Sequence, residues 1–186
     1  MKNINGSGSL LLVQGGMPLK DVRGGFLTRI IDSNDLDNVN YVLKSEDGVP
    51  YCAQLNVLLH ENRNSLLMMA LDYGLPVTLS GDEHGNITGL AIAPSNTPIP
   101  SLSSAFAKLQ DSCTGMVVRI IDKDPGAAVS YVVETDNGAR HCVQMWPNSE
   151  SYDNRNHLFM MALRTKMAVT VTGGTRHEVT AIAVGS

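Results

Sequence analysis

The chain has 186 residues, 43% of them apolar and 17% charged, with a formal net charge of −4. That balance belongs to a globular protein rather than a disordered one, and an acidic chain with no lysine- or arginine-rich run counts against a surface built to neutralise phosphate. No apolar run reaches the length of a membrane-crossing helix, and three cysteines cannot all pair within one chain.

Residues 1–24 read as an N-terminal extension. Residues 1–8 have the Asn, Gly and Ser composition of a flexible end, residues 9–14 suit an extra short strand, and residues 15–18 a turn. The stretch Leu10-Leu11-Leu12-Val13 is too short for the apolar part of a signal peptide, which leaves cytoplasmic location as the default and secretion for a chain whose leader has been removed.

From Gly25 the chain is written twice. Residues 25–32 (GFLTRIID) are matched by residues 115–122 (GMVVRIID), and both are strand-like apolar runs. A second strand over 40–44, or 130–134, is followed by Asp47-Gly48 or Asn137-Gly138, whose tolerance of positive φ marks a hairpin turn. A third strand covers 51–55, or 141–146, and leads into a loop two residues longer in the second copy. Then comes the most firmly placed element, a helix over 64–73 and 156–165 that follows from the repeated segments NRNSLLMMAL (62–71) and NRNHLFMMAL (154–163). Asn62 or Asn64, and Asn154 or Asn156, are the candidate caps; Gly74 can stop the first helix, whereas Lys166 stands at that place in the second. Two more strands, 75–80 with 87–93 and 167–172 with 179–184, complete each copy. The domains are therefore 25–93 and 115–186, separated by a linker over 94–114 that contains a short connecting helix near 105–109.

Three strands, a helix and two strands is the order of an oligonucleotide/oligosaccharide-binding (OB) fold, so the expected fold is mainly β: two tandem five-stranded antiparallel barrels, each with a short helix between its third and fourth strands. A mixed α+β sandwich is the alternative.

The repeated polar tripeptide is the first candidate site. Asn62, Arg63, Asn154 and Arg155 either bind an anion or sugar at a helix N-terminus or tie the helix into the fold. Tyr41 and Tyr131 are stacking platforms or cross-strand filler; Trp146, with Asn56 as its counterpart, is a contact of the second copy alone or local packing. The Met68-Met69 and Met160-Met161 pairs read as core filler, since neighbouring helical residues diverge by about 100° and no His or Cys cluster accompanies them. Cysteine and histidine spacing predicts no metal, no cofactor fingerprint is present, and no catalytic constellation can be assembled.

Segment order and the helix-to-strand passage ending in a polar turn resemble the receptor-binding B subunits of bacterial AB5-type toxins. The resemblance implies small barrels that assemble into rings and bind glycans without catalysis. The expected function is thus a non-enzymatic binding or structural module recognising a glycan or protein surface within a homo-oligomer, since duplication doubles contacts. The alternatives are a single-stranded nucleic-acid binder using the barrel face, and a cysteine-dependent enzyme using Cys113.

Overall fold

The structure, a computed structural model, describes residues 16–32, 37–94, 107–124, 128–147, 149 and 151–185. The strand expected over 9–14 and most of the linker lie outside them. The chain divides into two compact units, Met1–Thr88 and Gly89–Ser186.

The first unit holds β1 (Met17–Pro18), β2 (Val22–Asp32), β3 (Asn38–Ser45), β4 (Pro50–Asn56), α1 (Glu61–Tyr73), β5 (Pro76–Gly81) and the start of β6 (Ile87–Ile92), a strand divided by the boundary. Its strands run in the order β1-β4-β3-β2-β5-β6. The second unit takes the rest of β6, then β7 (Ala107–Lys108), β8 (Ser112–Lys123), β9 (Val129–Glu134), β10 (Arg140–Met145), α2 (Tyr152–Thr165), β11 (Ala168–Gly173) and β12 (Val179–Val184). Here the order is β6-β8-β9-β10-β7, with β11 pairing β8 and β12.

These are open, mixed sheets and not closed antiparallel barrels, so the OB expectation fails, and with it the resemblance to toxin B subunits. Two findings overturn it. The ladders are open paths, and where a ring would close there is one isolated parallel bridge in each unit, Gln54↔Asn86 and Gln144↔Glu178. Each unit also contains a parallel pair that an antiparallel barrel lacks, β1 with β4 and β7 with β10. Those short strands replace two other expectations: the turn at Met17-Pro18, and the part of the connecting helix that falls on Ala107-Lys108.

The repeat reaches further upstream than residue 25. Leu19 N–H donates to Cys52 O at 2.9 Å and Leu109 N–H to Cys142 O at 3.0 Å; Gly81 N–H donates to Asp21 O and Gly173 N–H to Asp111 O. The shared Leu-x-Asp at 19–21 and 109–111 is the sequence trace of this extra turn.

Gly25 and Gly115 are pivots rather than strand starts. β2 pairs β5 over Val22–Phe26 and β3 from Gly25 onward, so its two ladders overlap at Gly25 and Phe26. β8 does nearly the same, its ladders with β11 and β9 meeting at Met116, next to Gly115. A Cβ at Gly25 would stand 2.1 Å from Lys44 O, and one at Gly115 2.2 Å from Glu134 O. Beyond each pivot a bulge shifts the register, between Leu27 and Arg29 and between Val117 and Arg119.

Both hairpin turns form as expected, with positive φ only at the glycine: 83° at Gly48 and 81° at Gly138. Ser45 and Thr135 each send a hydroxyl to the carbonyl across the turn, Val49 O and Ala139 O.

The helices begin two to five residues earlier than an asparagine cap requires. His60 and Ser151 occupy the cap positions, and neither side chain makes a capping bond. At the other end Gly74 takes the left-handed conformation with φ 60°, and Lys166 takes it too with φ 55°. Packing holds these short helices, as neither is long enough to persist alone. The buried stripe of α1 is Arg63, Leu66, Leu67 and Ala70; that of α2 includes Asn156, Phe159, Met160 and Leu163. Relative to the repeat the stripe has moved by one residue. Met160 is consequently buried where its counterpart Met68 is exposed, and Arg155 is half-buried where Arg63 is 2% exposed. No helix among the described residues is long and apolar enough to cross a membrane.

Candidate functional site

The asparagines of the repeated tripeptide have divided roles. Asn64 Oδ1 accepts from Tyr41 OH at 2.5 Å, and Asn156 Oδ1 accepts from Tyr131 OH at 2.7 Å. Both tyrosines are fully buried, and Tyr131 stacks on Phe159 with ring centroids 4.1 Å apart. Neither ring faces solvent, so neither serves as a platform for a base or sugar. Asn62 is half-buried, and Asn154 is exposed on α2.

The arginines of the tripeptide clamp the helix to the strand that follows the polar turn. Arg63 Nη1 donates to Ile87 O at 2.9 Å, while Arg155 donates to Val179 O at 2.5 Å and to Thr180 O at 2.9 Å. A guanidinium spans two adjacent carbonyls because its N–H donors form a planar fork.

In the second unit this clamp borders a cavity of about 500 Å³. β10 contributes Gln144 and Met145, the following loop Trp146 and Ser149, α2 Arg155, and the turn before β12 Arg176, Glu178 and Val179. Trp146 is 40% exposed. Gln144 Nε2 reaches Ser130 Oγ at 3.4 Å, and Arg176 N–H donates to Glu178 Oε2 at 2.8 Å, which fixes the carboxylate on its own turn. That carboxylate packs over Gly174, where a Cβ would stand 2.4 Å from Glu178 Oε1.

Of the seven candidates, the structure brings Trp146 and Arg155 together and leaves Tyr41, Tyr131, Asn62, Arg63 and Asn154 away from this cavity. Arg176, Glu178 and Gln144 complete it. Arg176 and Glu178 stand where the first copy has His84 and Asn86, and Trp146 stands where it has Asn56. In the first unit those polar groups stabilise their own turns: Asn56 Oδ1 accepts from Leu59 N–H, and Asn86 Nδ2 donates to Asp82 Oδ2. The signal that finds the missed residues is divergence between copies at otherwise equivalent turns.

The three cysteines are free. Burial pushes the Cys113 thiol above its ordinary range, and the Cys52 and Cys142 thiols likewise, which disfavours the thiolate form. No group of three or more His, Cys, Asp or Glu able to hold a metal occurs among the described residues.

Burial also raises the phenols: Tyr152 to about 12, and Tyr41 and Tyr131 above their ordinary value of 10.0. A folded-state pKa raised in this way stabilises the protein fully below pH 10 and loses that contribution as pH climbs through the folded value. Denaturant midpoints measured from about pH 9 to about pH 12 should therefore fall steadily, and Tyr152→Phe should flatten the fall. A flat profile in the parent protein would contradict the burial of these hydroxyls.

No protein-family model matches the chain, and no curated protein and no solved structure matches it.

Proposed function

We propose that the chain is a non-enzymatic binding module that recognises a glycan through the Trp146 cavity of its second unit. The observation that carries the reading is a half-exposed indole set beside Gln144, Arg176 and Glu178 in a hollow of about 500 Å³. An indole face packs against the C–H face of a sugar ring, and a carboxylate, an amide and a guanidinium supply both donors and acceptors for hydroxyl groups. The volume lies within the range of small-ligand sites. A carboxylate in the wall disfavours phosphate, which sets the glycan reading ahead of single-stranded nucleic acid.

The test is a glycan array followed by calorimetric titration of the best binder at low and high salt. Binding that changes little with salt, and that Trp146→Ala weakens by about 10-fold or more, is the expected result, since losing a stacked aromatic contact removes about 1–3 kcal/mol. Oligonucleotide binding that drops steeply with salt, with an empty glycan array, would replace this reading with the nucleic-acid one.

A further inference from the structure

We infer that a second copy of this chain docks edge to edge, its β12 adding to the edge of β2 that no described strand pairs. Within the second unit, Gly89–Ile92 of β6 pairs antiparallel with Lys123–Ile120 of β8 in the register Leu90↔Asp122, Ala91↔Ile121, Ile92↔Ile120. In this joint Leu90, Ala91, Ile92 and Ile120 are fully buried and Asp122 is buried, while Ile121 is half-buried.

Each half of the joint has a counterpart in the repeat. Ile30-Ile31-Asp32 of β2 repeats Ile120-Ile121-Asp122, and Ile182-Ala183-Val184 of β12 repeats Leu90-Ala91-Ile92. Both counterparts have an edge with no ladder among the described residues. The pairing of β2 with β5 ends at Phe26, and beyond it β2 pairs only β3. β12 pairs only β11. Burial agrees at five of the six places: Ile30 is half-buried where Ile120 is buried, Asp32 is exposed where Asp122 is buried, and Ile182, Ala183 and Val184 are half-buried or exposed where Leu90, Ala91 and Ile92 are buried, whereas Ile31 is half-buried like Ile121.

One chain thus carries a completed joint and, at separate places, the two complementary pieces of another. Unpaired strand edges invite addition of a further strand, and the internal joint shows which strand this edge accepts and in what register. Two copies meeting in that register pair Ile182 with Asp32, Ala183 with Ile31 and Val184 with Ile30. Because the two pieces differ, the contact is heterologous: it closes into a ring if the rotation permits and otherwise extends. The inference stands independently of the glycan reading.

The experiment is light scattering on the full chain, of 20.0 kDa, after size exclusion. Loading at roughly 100 μM populates any joint of micromolar Kd. Species of at least twice the chain mass are expected for the parent protein. Ala183→Glu, which places a charge where the equivalent Ala91 is fully buried, should return the chain to a monomer with an unchanged melting temperature, and Ile30→Glu should do the same from the other edge. Mixing the two variants should restore a dimer, because each retains one intact edge. A monomeric parent protein, assembly that survives Ala183→Glu, or a mixture that stays monomeric would each overturn the inference; the mixing result also separates a blocked edge from a variant that has merely unfolded.

Discussion

Gly25→Ala should destabilise the first unit by about 3 kcal/mol or more, at or beyond the upper end of ordinary overpacking. Its Cβ would lie 2.1 Å from Lys44 O and 2.8 Å from Ser45 Cα, and both obstacles are backbone, so no side chain can swing away. Relief requires β2 and β3 to separate at the residue where β2 also holds β5, which breaks hydrogen bonds on both edges. Gly48→Ala is the control. It meets nothing within 4 Å, and its φ of +83° carries only the local cost of a left-handed residue, about 1 kcal/mol. Urea unfolding of the two variants should separate them clearly. Equal midpoints would mean that the pivot is looser than the strand overlap implies.

Arg63→Ala is the second large effect, with an expected loss of about 3 kcal/mol, against about 1 kcal/mol for Arg155→Ala. The two arginines occupy the same place in the repeat and grip equivalent carbonyls, but Arg63 is 2% exposed whereas Arg155 opens on the cavity. Truncating the buried side chain leaves Ile87 O without that donor and a void under α1, while water can reach the carbonyls that Arg155 releases. Arg155→Ala should in turn weaken ligand binding, which Arg63→Ala leaves unaltered in any protein that remains folded. Thermal unfolding together with titration of both variants checks the split, and a larger stability loss at Arg155 would reverse the assignment.

Local features were legible in the sequence because they depend on neighbouring residues. The hairpin glycines Gly48 and Gly138, the presence of a helix in each copy and the duplication itself can all be read from short windows, whereas the buried face of each helix cannot: the methionine pairs read as core filler, yet Met68 and Met161 are exposed. Ladder closure cannot, since which strand covers Ile120 depends on residues 28 or more positions away, and the same strand order serves a closed ring or an open path. Gly25 and Gly115 read as strand starts because a glycine usually interrupts a strand; their necessity arises only where one ladder gives way to the next and the neighbouring backbone comes too close for a Cβ. Trp146 attracted notice by having no aromatic counterpart. Arg176 and Glu178 did not, because a charged residue in a turn is ordinary until the fold sets it beside an indole.

Trp146 is the chain's only tryptophan. Indole emission from the native protein therefore originates wholly at the mouth of this hollow, and the first unit is spectroscopically silent in that band. A ligand settling on the ring would shift or quench the signal with no label attached, so the molecule carries its own optical gauge of occupancy.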